Sequence, residues 1–117
     1  VDADEMNTWY GAEFREGALV MSYWHDAGDY YNEMCASILN RYLEYYKKRP
    51  DPTTYMKEAR KIKSVLGLSN KERNQMDEEE LKSITQLQKL NSLLIEKGVS
   101  KDDRYVQLET QAELLKL

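Results

Sequence analysis

Arg49-Pro50-Asp51-Pro52 holds both prolines of the chain, and its reading divides the molecule. Proline pushes the residue before it out of the helical region, so Arg49 and Asp51 mark a boundary. Asp51 has the side chain of an N-cap. Pro52 falls at the first helical position, where its missing N–H leaves no bond unmade. A helix is predicted from Pro52 to Leu66. Tyr55, Ala59, Ile62 and Leu66 recur on one face of it, and Gly67 is placed to end it in a left-handed cap.

Beyond that helix two turns read alike. Gly67-Leu68-Ser69-Asn70-Lys71-Glu72-Arg73 and Gly98-Val99-Ser100-Lys101-Asp102-Asp103-Arg104 each give a helix-stopping glycine, an apolar residue, a serine, an acid three residues on, and arginine. Ser69–Glu72 fits a capping box, and Ser100–Asp103 is a shorter version of it. A degenerate repeat and the ordinary punctuation of helical hairpins both account for the match, and the second is the simpler. Asp77, followed by Glu78, Glu79 and Glu80, is a further N-cap candidate. Asn70–Met76 is either a short extra turn or the start of a long fourth helix. Ile84, Leu87, Leu90 (or Asn91) and Leu94 form one later stripe. Tyr105, Leu108, Ala112 and Leu115 form another, spaced like a coiled-coil seam and too short to stand alone.

Upstream of the prolines, Tyr31, Met34, Cys35, Ile38, Tyr42 and Tyr45 share a helix face. The first segment, with Met6, Trp9, Tyr10, Phe14, Val20, Met21 and Trp24, suits a helix weakened by Gly11 and Gly17. A strand over Leu19–Trp24 is the alternative. Gly28 is expected to separate this segment from the next. The chain therefore reads as an all-α bundle of about five helices, near 5–26, 29–48, 52–66, 77–97 and 100–116. It forms a single helical domain over 1–117, with residues 1–5 expected to be a terminal remnant or a loose start.

The totals agree with a folded domain. Of 117 residues, 41% are hydrophobic and 10% aromatic, which is too rich for a disordered chain. One cysteine, Cys35, allows no internal disulfide, so a reducing, cytoplasmic setting is expected. No apolar run approaches a membrane span.

Charge is uneven. Residues 1–46 carry two basic and nine acidic side chains, 47–73 nine and three, and 74–117 six and nine. A net charge of −4 thus conceals a basic island of Lys47, Lys48, Arg49, Lys57, Arg60, Lys61, Lys63, Lys71 and Arg73 between acidic flanks. Such a segment can neutralise phosphates, and Tyr45, Tyr46 and Tyr55 nearby can stack on unpaired bases. A solvated face, or one meeting an acidic protein surface, is the plainer reading. The overall acidity argues against a protein that coats DNA.

Catalytic patterns are missing. His25, the single histidine, lies near Asp26, Asp29 and Glu33, yet no paired-ligand spacing accompanies it, so no metal and no cofactor is expected. Cys35 lies on an apolar face without a nearby base, as a buried structural thiol does. The isolated glycines build no phosphate loop. Aromatic surface is abundant in the first half. Trp9, Trp24, Tyr30 and Tyr46, with Tyr105, Leu108 and Leu115 of the last seam, are candidates for contact with a protein partner or a second copy.

The run Pro52–Arg73, a proline and an amphipathic helix followed by Val-Leu-Gly-Leu-Ser-Asn-Lys-Glu-Arg, resembles the end of certain phage small terminase subunits. That resemblance implies recognition of viral DNA and assembly into rings. The sequence departs from the family pattern at Asn70, where the family has proline. Arg73 also stands where a helix-turn-helix needs an apolar residue. The expected function is a non-enzymatic binding or assembly module. Nucleic-acid contact through 47–73 is the first form of it, and a protein adaptor or homo-oligomer the second.

Overall fold

The computed structural model of the chain describes residues 14–116, and side chains from Met21 onward. It is all-α, with four helices and no strand among the described residues. They are α1 (Phe14–Tyr45), α2 (Pro52–Val65), α3 (Glu78–Glu96) and α4 (Lys101–Leu115), with a 3₁₀ turn at Arg73–Gln75 before α3. Two of the five expected helices are one. The chain runs helically through Leu19–Trp24 and through Gly28, which removes both the strand alternative and the expected break. The reason is tertiary. The Arg73 guanidinium lies against the bare backbone of Gly28, where a Cβ would overlap it, and covers the Trp24 ring at 4.0 Å. A glycine that weakens an isolated helix is here a docking point for another side chain.

The other boundaries follow local chemistry. Asp51 caps α2 through the Thr53 N–H, with Pro52 at its start. Gly67 and Gly98 take φ of +73° and +77°. Each closes its helix with the same pair of bonds: Gly67 N–H donates to Ser64 O and Leu68 N–H to Lys63 O, while Gly98 N–H donates to Ile95 O and Val99 N–H to Leu94 O. These are Schellman closures. Helix α1 ends at Tyr45, three residues short of the expected 48, because Lys47 adopts a left-handed φ of 57°.

Ser100 caps α4 as expected, accepting from Asp103 N–H at 3.3 Å. Ser69 starts no helix. The chain instead passes through a box between Glu72 and Gln75 to a stronger one, in which Asp77 accepts from Glu80 N–H at 2.9 Å and Glu80 accepts from Asp77 N–H at 3.0 Å. Between them Leu68 and Met76 drop into the core. A helix begun at Ser69 would not leave the backbone extended at Glu72 and Met76, as it is here.

Helix α3 is the central element. Leu81, Ile84, Leu87, Leu94 and Ile95 are buried, as are the polar Thr85, Gln88, Asn91 and Ser92. At the alternative left open in this stripe, Asn91 is wholly buried and Leu90 only half. The most extensive interface is α1 on α3. These helices run parallel and in heptad step: Lys82 lies over the Tyr23 ring, Lys89 over Tyr30, and Ser37 donates to Glu96 at 3.0 Å. Met34 and Ile38 from α1, Ile62 from α2, and Leu108 and Ala112 from α4 complete the core. Tyr45, expected on the inward stripe, is 57% exposed.

A candidate anion-binding groove

Helix α2 turns Tyr55, Ile62 and Leu66 inward as expected, and between them it buries Glu58 at 4% exposure. A lone carboxylate there would be strongly destabilising. Helices α3 and α4 supply its compensation. Arg104 Nη1 of α4 donates to Glu58 Oε1 at 2.6 Å, and Tyr105 OH donates to Oε2 at 2.6 Å. Asn91 Nδ2 of α3 donates to Oε1 at 3.1 Å and meets Met34 Sδ of α1 at 3.3 Å. Arg104 also reaches Asn91 Oδ1 at 3.3 Å. Burial, and then the Glu58 carboxylate that accepts its proton, push the Tyr105 phenol well above its ordinary range. The network is closed and holds α2 on α4. Heptad-like spacing at 105–115 marked Tyr105 as apolar packing; its hydroxyl is the part that matters.

Beside this network lies a half-open groove of about 570 Å³, formed by the end of α1, the start of α2 and the α3–α4 turn. Arg41, Lys57, Lys101 and Arg104 line it together with Tyr42, Tyr45 and Tyr46. Glu58 is the one carboxylate in its wall, and Arg104 and Tyr105 already occupy it. The adjoining connection carries Lys47, Lys48 and Arg49, all exposed. No ion pair among the described residues involves any of these three, Arg41, Lys57 or Lys101.

The island of nine cations is therefore not one strip. Lys57, Arg60 and Lys61 are neighbours on α2 by helical spacing, and what splits them is what each meets. Lys57 faces the groove. Lys61 pairs with Glu109 at 2.7 Å. Arg60, Lys63 and Arg73 line a different hollow, walled by Tyr31, Met56 and Met76. Lys71 pairs with Glu80 at 2.8 Å, and each holds the other charged: the lysine is raised and the glutamate lowered. Arg41 and Lys101 were missed in the sequence because each lies inside an acidic stretch of chain. Their convergence with Lys57 is purely tertiary.

The candidates for partner contact scatter too. Trp9 lies outside the described residues. Trp24 and Tyr30 are half-buried beneath Arg73 and Lys89. Leu108 is wholly buried, so it belongs to the core and offers no surface to a partner in this fold. Tyr105 and Leu115 pack against that core. Tyr46 is 62% exposed, on the groove. His25, Asp26, Asp29 and Glu33 make no metal cluster, nor does any group among the described residues. No helix there is long and apolar enough to cross a membrane. No known protein family, curated protein or solved structure matches the chain.

Proposed function

We propose that this chain is a non-enzymatic helical binding module that contacts nucleic acid around the groove at the α1–α2 connection. The observation that carries this is charge imbalance in a confined place. Lys57, Lys101 and Arg41 open onto the groove with no acid to pair them, and its single carboxylate is already neutralised. Lys47, Lys48 and Arg49 extend the same positive surface. Unpaired cations in a recess attract phosphate, and their displaced counterions make binding salt-dependent.

The test is anisotropy of a labelled oligonucleotide across a salt series. Binding at low salt should weaken as salt rises, with the magnitude of the log–log slope falling by about 0.7 (single strand) to 0.9 (duplex) for each phosphate contact removed. Charge reversal of Lys48, Arg49 and Lys57 together should abolish it. Reversal of Arg60 and Lys63, which line the other hollow, should leave most of it. No binding at low salt, or equal loss from both sets, would overturn the assignment.

One observation favours a protein partner as the second reading. Val106 and Leu114 stand two turns apart on the outside of α4, at 61% and 62% exposure. The apolar surface offered by α4 is thus not the expected Tyr105–Leu115 seam but its outer face. A mass that rises with concentration, and stays monomeric in Val106→Lys/Leu114→Lys, would support assembly through it. A ring-forming role of the small-terminase kind would use both surfaces.

A further inference from the structure

Arg41 enters the groove from α1 with its guanidinium held from two sides. The Tyr45 ring, one turn along the same helix, lies 3.6 Å from its Cζ. The bare backbone of Gly98 lies against its Nη2, so closely that a Cβ on Gly98 would overlap that nitrogen. Arginine normally loses side-chain freedom when it grips a ligand. Here that ordering is already made, and no carboxylate among the described residues pairs with the guanidinium. A planar, oriented, unpaired guanidinium suits an oxyanion that accepts two bonds at once, as a phosphate does. Lys57 and Lys101 flank it in the groove wall.

The aromatic wall narrows the ligand further. Tyr45 and Tyr46 line this groove and are each more than half exposed, and Tyr46 is propped by Tyr42 with ring centroids 5.0 Å apart. Exposed rings beside phosphate-seeking cations form a stacking surface for bases, whatever their identity. In a duplex both faces of each base are already stacked, so these rings would have nothing to hold. Duplex phosphates also lie on the outside of a wide cylinder, whereas Arg41 sits within a recess whose volume is that of a small-ligand site.

We infer that the groove takes an unpaired nucleic-acid strand, with Arg41 forked on a phosphate and Tyr45 and Tyr46 stacked on bases. The inference rests on the nucleic-acid reading above and specifies its ligand. The test uses the full chain with labelled oligothymidine, a hairpin duplex of the same length, and free thymidine monophosphate as competitor. Oligothymidine should bind at least about fivefold tighter than the duplex, since one stacked base contributes about 1–3 kcal/mol. Arg41→Lys keeps the charge and loses the fork, and should weaken the single strand several-fold. Tyr46 is exposed, so Tyr46→Ala should fold normally; it should weaken the single strand and leave the weaker duplex binding unchanged. Lys48→Ala should weaken both ligands equally. Equal affinity for strand and duplex would overturn this inference and leave the nucleic-acid reading standing. So would unaltered single-strand binding in both Arg41→Lys and Tyr46→Ala. Failure to bind either ligand at low salt would overturn both.

Discussion

The turns at Gly67 and Gly98 are nearly the same in sequence and in backbone, yet they do different things. Both glycines are left-handed, and both helices close with the same pair of hydrogen bonds. Around Gly67 the space where a Cβ would sit is open, with nothing within 4 Å. Around Gly98 it is filled by Arg41. After Gly67, Leu68 sinks into the core and the next helix waits until Glu78. After Gly98, Ser100 starts α4 at once, and its first turns deliver Arg104 and Tyr105 to Glu58. One glycine satisfies its own backbone only. The other also admits the side chain that forms the groove. A shared local motif therefore says how a helix ends and nothing about what is built on the ending.

Substitutions at and around the two turns separate their roles. Glu58→Ala should be the largest, since it strands Arg104 beside a buried Asn91: about 3–5 kcal/mol lost in chemical denaturation, as for other broken buried pairs. A loss under 1 kcal/mol would mean that the α4 side is not held by this network. Gly98→Ala should come next. It meets left-handed strain of about 1–2 kcal/mol and displaces Arg41 from Tyr45, a cation–π contact worth about 0.5–2 kcal/mol. Gly67→Ala should show only the strain, so the difference between the two alanine variants measures the Arg41 contact. Equal losses would show that Arg41 moves aside freely.

Smaller still is the pair of serines. Ser100→Ala should cost about 1 kcal/mol as a lost N-cap, while Ser69→Ala should stay within about 0.5 kcal/mol. The reverse order would place a helix start where the structure has none. Lys47 offers the converse test, as a left-handed residue without glycine's freedom: Lys47→Gly should raise stability by about 0.5–1 kcal/mol, read as a higher Tm. Least at neutral pH, where it vanishes, is the alkaline effect of Tyr31. Burial first, and then the neighbouring Cys35 thiol, raise its phenol to about 12. The folded chain keeps that proton between pH 10 and 12 while the unfolded chain releases it. Stability is therefore intact below pH 10 and falls as pH rises through that window. Tyr31→Phe should flatten the fall.

Much of the fold was legible, because the signals that start and stop helices act over a few residues. Asp51-Pro52, Gly67, Asp77 and Gly98–Ser100 all do in the structure what their chemistry prescribes. Stripes such as Met34–Ile38 and Leu108–Ala112 also turned inward, since burying one helix face is enough to dictate them. The misreadings lie where a distant group decides. Gly28 reads as a break because nothing nearby in sequence shows Arg73 arriving on its backbone. Ser69 reads as a cap because its local pattern matches, although Leu68 and Met76 are anchored in the core around it. Glu58 is only one of three acids in the count for 47–73, because charge alone does not reveal that Arg104, Tyr105 and Asn91 surround it.

The candidate site divides in the same way. Lys57 and the Lys47–Arg49 run, with Tyr46, stood out as cations and aromatics close together in sequence. Arg41 and Lys101 join them only when three chain segments meet. Lys61 and Lys71 leave the set because the fold supplies Glu109 and Glu80, and Arg73 leaves it because it lines the other hollow.

By itself the sequence determined that this chain is helical, where most helices begin and end, and that positive charge gathers between acidic flanks. Those properties depend on backbone hydrogen bonds, short-range sterics and counted charges, all of which act between near neighbours. Only the tertiary structure decided that α1 is continuous, that a carboxylate is buried, and which cations remain unpaired beside exposed tyrosines. Pairing and burial depend on which residues meet across the bundle, and that is a property of packing rather than of any one segment.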